Sequence, residues 1–368
     1  MQRKKEEEYA MRKGIAIILF ALMAVGLVWF GCSKENNTVT APVTQSQQAA
    51  KLVDLPANLQ KAADALQEHN PQLLGIADVV GTAVGLGADG TPVVLVLTKV
   101  PGVQGIPASL DGVPVVVEVT GEIKALAPPE VKGKPIALKP TSTWPRPVPI
   151  GVSTGNVGEC SAGTIGCRVK DTSGNVYALS NNHVYALENK APLESIVLQP
   201  GRYDTGCVIK PDNEIGKLSA FIQIDFSGID NTVDAAIALS STTNLGNATP
   251  TGGYGIPKST TATATIGQNV QKYGRTSALT KGRITGIIAT INVGYTSGTA
   301  RFVNQIIVQS SKPFIKAGDS GSLLVTDPGY NPVGLLFAGN NIGTYAIANQ
   351  IGDVLSAFSA LGVTIDGQ

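Results

Sequence analysis

Ser320 stands in the turn Ala317-Gly318-Asp319-Ser320-Gly321-Ser322, directly ahead of the apolar run Leu323-Leu324-Val325. A serine hydroxyl becomes a useful nucleophile when its Oγ is exposed, a base can take its proton, and backbone N–H groups face the oxygen that gains charge. Flanking glycines allow positive φ and close approach, so this turn suits the purpose, with the N–H groups of Gly318 and Ser320 as the candidate oxyanion hole. Gly, Asp and Ser are also ordinary loop residues, so the turn alone decides nothing. The base must be a histidine from a short list, because the chain contains only His69 and His183. His183 follows the apolar stretch Val176–Ser180 in Leu179-Ser180-Asn181-Asn182-His183-Val184, where a strand is expected to end and a side chain can reach a cleft. A histidine base needs a third group to fix its tautomer and stabilise its charge. Asp234, in Val233-Asp234-Ala235-Ala236-Ile237-Ala238, is a carboxylate at the head of a small apolar strand, a costly placement unless it is paired. Asp230 is the neighbouring alternative, and His69, at the polar end of a helix, reads as a solvated surface residue.

The elements that must hold these residues are short. Among 368 residues there are 42 glycines and 22 prolines, a balance that favours strands and turns over long helices. The formal net charge of +1 gives no reason to expect nucleic acid as a partner. Two histidines and four cysteines without zinc-ribbon spacing argue against a metal centre, and no cofactor is expected.

The chain divides by composition into five segments. Residues 1–32 hold basic residues and then an apolar run, Gly14 to Phe30, which ends at Gly31-Cys32; this is the layout of a secretory signal. Residues 33–54, rich in Asn, Thr, Ser and Gln, read as a flexible tether. Residues 55–126 make a small α+β domain: a helix over about 57–69, two strands around Ala88-Asp89-Gly90-Thr91, a short helix at 106–110 and a strand over 113–119. No chemistry is visible there, and its position upstream makes it a spacer, a binding unit or an inhibitory or folding segment. Residues 127–150 form a Pro-rich linker. Residues 151–368 alternate strand and turn with a single terminal helix, as an all-β domain would.

Residues 151–363 resemble the trypsin-like serine peptidases, in the bacterial branch related to plant narrow-leaf-type proteases. The histidine, aspartate and serine stretches quoted above are similar to that family's three boxes, in the chymotrypsin-type order His183, Asp234, Ser320. Tyr273-Gly274-Arg275-Thr276-Ser277 resembles the opening of the second barrel, and Gly334–Gly339 with Gly343-Thr344-Tyr345 resembles the strands walling the specificity pocket. The resemblance implies two six-stranded β-barrels with the site between them. It also implies a Ser-His-Asp triad that hydrolyses peptide bonds through an acyl-enzyme, a polypeptide substrate, and a pocket built by Phe314, Phe337 and Gly339. Phe314 offers no acidic floor for Lys or Arg, and Phe337 replaces the serine that often supports the triad aspartate. With a domain and linker upstream of Gly151, Asp319 is expected to have a partner or role other than pairing with a new amino terminus. Cys32 after Gly31 is similar to a bacterial lipobox cysteine, which implies lipid attachment, with an uncut membrane anchor as the other reading. Either places the domain in the cell envelope, outside the cytoplasmic membrane. Cys160, Cys167 and Cys207 then remain, with Cys160–Cys207 and Cys167–Cys207 both open as pairings. A catalytically silent peptide-binding or adhesion module on the same fold is the competing function.

Overall fold

The computed structural model describes residues 55–125 and 138–368; the signal-like segment with Cys32, the tether and residues 126–137 lie outside them. Helix α1 (Ala57–Leu74) continues past the end expected at 69 and carries Pro71 within its last turn. It lays Leu59, Ala62, Leu66 and Leu73 on a small sheet. The strands of that sheet are β1 (Val79–Leu86), β2 (Pro92–Thr98), β3 (Ser109–Leu110), β4 (Val113–Val119) and β5 (Ile123–Ala125). The short helix expected over 106–110 is absent: Val115 donates to the Ala108 carbonyl at 2.9 Å and β3 pairs with β4. Pro107 pushes the residue before it towards extended backbone, which favours pairing over a helical turn.

The first barrel comprises β6 (Ser153–Asn156), β7 (Gly163–Thr164), β8 (Cys167–Lys170), β9 (Val176–Ser180), β10 (Ile196–Leu198), β11 (Glu214–Phe221) and β12 (Ala236–Ser240), with a one-turn helix α2 (Asn182–Tyr185) after β9. Its strand order is β8-β9-β12-β11-β10-β6-β7. Since β7 and β8 are one run of chain interrupted at Ile165-Gly166, the sheet curls round on itself as six strands. The second barrel comprises β13 (Asn269–Gly274), β14 (Ala278–Tyr295), β15 (Gly298–Gln309), β16 (Leu323–Thr326), β17 (Pro332–Asn340) and β18 (Tyr345–Gln350). Here the order is β13-β16-β17-β18-β15-β14, and a further β13–β14 pairing closes the ring. Helix α3 (Ile351–Ala357) follows, and β19 (Thr364–Ile365) returns to pair with β8 of the first barrel. Two barrels, a C-terminal helix and an N-terminal α+β region make a chymotrypsin-like double-barrel fold.

The N-terminal α+β region is not a separate bead. Strand β1 pairs with β14 from Gly81↔Ile291 to Gly85↔Gly286, so the small sheet continues the sheet of the second barrel. Residues of α1, β1 and β2 share one apolar cluster with Val270, Ile284, Ile306, Phe314 and Leu336 of that barrel.

Cys160 and Cys207 form a disulfide, and Cys167 is a buried free thiol in the core of the first barrel. The bridge closes a loop with a sequence separation of 47 residues. Cys207→Ser is expected to lower the free energy of unfolding by about 2–4 kcal/mol, mostly by freeing the unfolded chain. Denaturant melts of the oxidised wild type and the variant measure it.

Candidate active site

His183 sits in α2, the single turn that begins where β9 stops. Asp234 lies in the extended stretch just before β12, the strand paired with β9. That pairing brings the two side chains together: His183 Nδ1 is 2.6 Å from Asp234 Oδ2, and the His183 N–H reaches Asp234 Oδ1 at 3.2 Å. The carboxylate is fully buried, so these donors replace its water. With Nδ1 carrying the proton towards Asp234, Nε2 is the basic nitrogen. Nε2 is buried and makes no hydrogen bond.

Sequence reasoning missed the third donor on Asp234. The hydroxyl of Tyr295, at the end of β14, donates to Asp234 Oδ2 at 2.9 Å. Its ring also meets the His183 ring edge-on at 5.9 Å between centroids. Burial first, and the Asp234 charge next, hold the Tyr295 phenol well above its ordinary pKa, so it stays protonated and a donor. The β14–β15 hairpin that delivers Tyr295 is pinned at its tip by Glu188, whose carboxylate accepts from the Thr296 and Ser297 N–H groups at 3.0 and 2.8 Å and from the Ser297 hydroxyl. The substitution that hinted at such a donor is Phe337, which offers no hydroxyl where the resemblance implied one. Backbone contacts complete the clamp: Asp234 N–H donates to Asn349 Oδ1 at 3.1 Å, and the Asp234 carbonyl accepts from Asn181 Nδ2 at 2.7 Å. Tyr295→Phe removes a hydrogen bond to a buried charge, worth about 1.5–3 kcal/mol. If the triad is catalytic, kcat should fall by about tenfold or more with the thermal unfolding curve still cooperative, as steady-state kinetics and a melt will show.

Ser320 comes from the second barrel, in the turn leading into β16. Two glycines let that turn seat. Gly318 has φ +93° and Gly321 φ +92°. A Cβ on Gly321 would lie 2.2 Å from Ser180 Oγ and 2.3 Å from the Thr164 carbonyl, so the serine turn packs on the end of the strand that leads to His183. Thr164 reinforces the contact, its N–H donating to the Ser320 carbonyl at 2.8 Å and its hydroxyl to the Gly318 carbonyl at 2.8 Å. Ser320 Oγ donates to the Phe337 carbonyl at 3.2 Å and is not hydrogen-bonded to His183. Among the described residues, no acceptor takes the N–H of Gly318 or of Ser320.

Asp319 points the opposite way and organises the turn from beneath. Its Oδ1 accepts the N–H groups of Thr276 and Ser277 at 2.8 and 3.1 Å, and its Oδ2 accepts the Lys316 N–H at 2.9 Å and the Ser277 hydroxyl. The counter-ion is Lys272 of β13, with Nζ 3.1 Å from Asp319 Oδ2 and both side chains fully buried. Burial pushes the Lys272 ammonium down from its usual pKa and the Asp319 charge opposes the shift. Arg275 is committed elsewhere, to a buried ion pair with Asp204 and to the face of Tyr203.

Of the residues read as pocket walls, Phe314 is fully buried in the barrel core, with its N–H on the Gly343 carbonyl at 2.8 Å. The Phe337 side chain is fully buried against Phe302, 4.8 Å between ring centroids. Gly339 lies in β17 with Lys124 of β5 as its ladder partner. The cavity that opens beside His183 has a volume of about 360 Å³, and its lining includes Lys124, Ala125, Glu159, Glu188 and Tyr295. Glu68, His69 and Asp111 cluster on the surface of the N-terminal region, where His69 Nε2 meets Asp111 at 2.9 Å.

No protein-family model matches the chain, and no curated protein matches it. Solved structures do. A glutamic acid-specific serine protease is 19% identical, with 59% of this chain and 100% of that chain covered and a TM-score of 0.41. Thermobifida fusca Protease A is 17% identical over 60% of this chain and 100% of its own, with a TM-score of 0.43. Nocardiopsis Protease is 18% identical over 59% and 99%, with a TM-score of 0.41. By its own strand order, with two six-stranded barrels and a cleft fed from both, this chain has the fold of the chymotrypsin-like serine proteases.

Proposed function

We propose that the chain is an exported serine endopeptidase in which Ser320 is the nucleophile, His183 the general base and Asp234 the group that orients and stabilises it. The observation that carries this reading is the buried His183–Asp234 pair at 2.6 Å, whose other ring nitrogen, Nε2, has no partner. A histidine nitrogen free of other partners is available to accept a proton, and Thr164 ties the serine turn to the barrel that carries His183. A turn of the Ser320 side chain away from the Phe337 carbonyl would present Oγ to His183. His183 Nε2 would take the Oγ proton as Oγ bonds to the substrate carbonyl carbon, and the carbonyl oxygen, now negative, would accept from Gly318 and Ser320 N–H. The same proton would pass to the leaving amine as the C–N bond breaks. Water, deprotonated by His183, would then release the acyl group and restore Ser320. Asp234 stays ionised throughout.

The signal-like segment with Cys32, together with the Cys160–Cys207 disulfide, suits a place in the cell envelope outside the cytoplasmic membrane, reached by lipid attachment or an uncut anchor. Among the described residues, no helix is long and apolar enough to cross a membrane. Kinship with the plant narrow-leaf-type branch rests on the sequence motifs alone. The test is hydrolysis of unfolded, fluorescein-labelled casein by the full chain, by Ser320→Ala and by His183→Ala. Cleavage by the wild type, reduced to background in both variants, is expected; equal cleavage by all three would defeat the proposal. A silent peptide-binding module is the second reading, favoured by the Ser320 hydroxyl resting on Phe337 rather than on His183. It predicts casein binding without cleavage.

A further inference from the structure

The edge of β17 that carries the nucleophile is continuous. At its start, Val325, Leu324 and Leu323 of β16 pair with Pro332, Gly334 and Leu335. The serine turn takes the next positions: Ser322 and Gly321 exchange backbone hydrogen bonds with Leu336, and Ser320 Oγ sits on the Phe337 carbonyl. The following residues, Ala338, Gly339 and Asn340, pair antiparallel with Ala125, Lys124 and Ile123 of β5. Strand β5 therefore begins one ladder position beyond the nucleophile's contact. An extended polypeptide that offers a carbonyl to Ser320 would extend the sheet along this same edge, because that is where unpaired main-chain groups would otherwise face the cleft.

Strand β5 is well fastened for so short a piece. Its far side touches β14 in a parallel pair at Gly294↔Lys124. Ile123 is buried with Phe302, Phe337 and Ile347. Asn340 Nδ2 donates to the Thr120 carbonyl at 3.2 Å, and Glu122 bridges Lys99 and Lys124 at 2.5 Å each. Lys124 and Ala125 also form part of the wall of the cavity that contains His183.

Resting on the peptidase reading, we propose that β5 is an internal occupant of the polypeptide-binding edge, so that the N-terminal region competes with extended polypeptides for the site. The occupant is part of the chain, so it acts at an effective concentration in the millimolar range. A polypeptide must bind the small fraction of molecules in which β5 has peeled away, which raises its apparent dissociation constant by the inverse of that fraction. A reagent small enough to need only Ser320 meets no such barrier. Occlusion thus acts on KM and spares kcat.

The test uses the full chain with Lys124→Pro and, separately, Ala125→Pro. Successive residues of a strand send their N–H groups to opposite edges, so one of the two prolines removes a donor facing β17. Thermal unfolding identifies variants that have kept the fold. For at least one folded variant, KM for fluorescein-labelled casein should fall by about tenfold or more with kcat unchanged, and Ser320 labelling by a small fluorophosphonate should keep its wild-type rate. Unchanged KM in both folded variants would overturn the proposal. If no chain is labelled, the peptidase reading fails on its own account. Casein anisotropy in a Ser320→Ala background then decides: tighter binding with the prolines upholds occlusion, and equal binding refutes it.

Discussion

Asp234→Asn is expected to lower kcat by about 10⁴-fold while leaving the fold and KM nearly unchanged. The side chain keeps its shape, yet an amide in that place can present an N–H to His183 Nδ1. The imidazole would then carry its proton on Nε2, where the base must be free, and an imidazolium formed during reaction would lose its counter-charge. Two features sharpen the expectation. Asp234 is fully buried, so water cannot substitute for the carboxylate. Its Oδ2 already accepts from both His183 Nδ1 and Tyr295, so only an atom that accepts from both suits the position. Steady-state kinetics on a folded variant measure the drop; a loss below about tenfold would mean that the His183–Asp234 pair does not drive the chemistry.

Lys272→Met should have the largest effect on stability, a loss of about 3–5 kcal/mol, because it strands the Asp319 carboxylate without its counter-ion in a fully buried place. The remaining donors to Asp319 are neutral N–H and O–H groups from Thr276, Ser277 and Lys316. The same loss should loosen the turn that presents Ser320, so catalysis should fall with stability. The double variant Lys272→Met with Asp319→Asn removes both charges, and it should recover much of the lost stability, since an uncharged pair carries no uncompensated charge. Chemical denaturation of the single and double variants gives the comparison. A single variant as stable as wild type would show that the pair contributes nothing net.

The residues that could do chemistry were legible because each is unusual in its local setting. His183 closes an apolar strand, Asp234 opens another, and Ser320 is framed by glycines. Strand-and-turn alternation made an all-β domain legible, while the two six-stranded barrels came from the resemblance; the apolar pattern of 164–170 gave no hint of the break at Ile165-Gly166. Tyr295 was not legible. It lies 61 residues beyond Asp234 in a strand where tyrosine is an ordinary choice, and a 2.9 Å contact made across the cleft leaves no local trace. Lys272 was hidden for the same reason: a lysine in Gln271-Lys272-Tyr273 reads as a solvent-facing strand position, whereas the structure buries it completely. With a domain and linker upstream of Gly151, the sequence pointed only to a different partner or role for Asp319, not to a lysine. Strand β5 carries only three residues, too few for any period, and its partners in β17 and β14 are set by the packing of the whole N-terminal region on the second barrel.

The most direct measurement of the central claim is the reaction of the full chain with a fluorophosphonate, followed by peptide mapping to the modified residue, with Ser320→Ala, His183→Ala and Asp234→Asn in parallel. An activated serine gives one adduct, on Ser320, formed quickly in the wild type, absent in Ser320→Ala and slowed by orders of magnitude in the other two. Absence of any adduct on folded wild-type protein, or an adduct on Ser320 formed just as fast without His183, would contradict it.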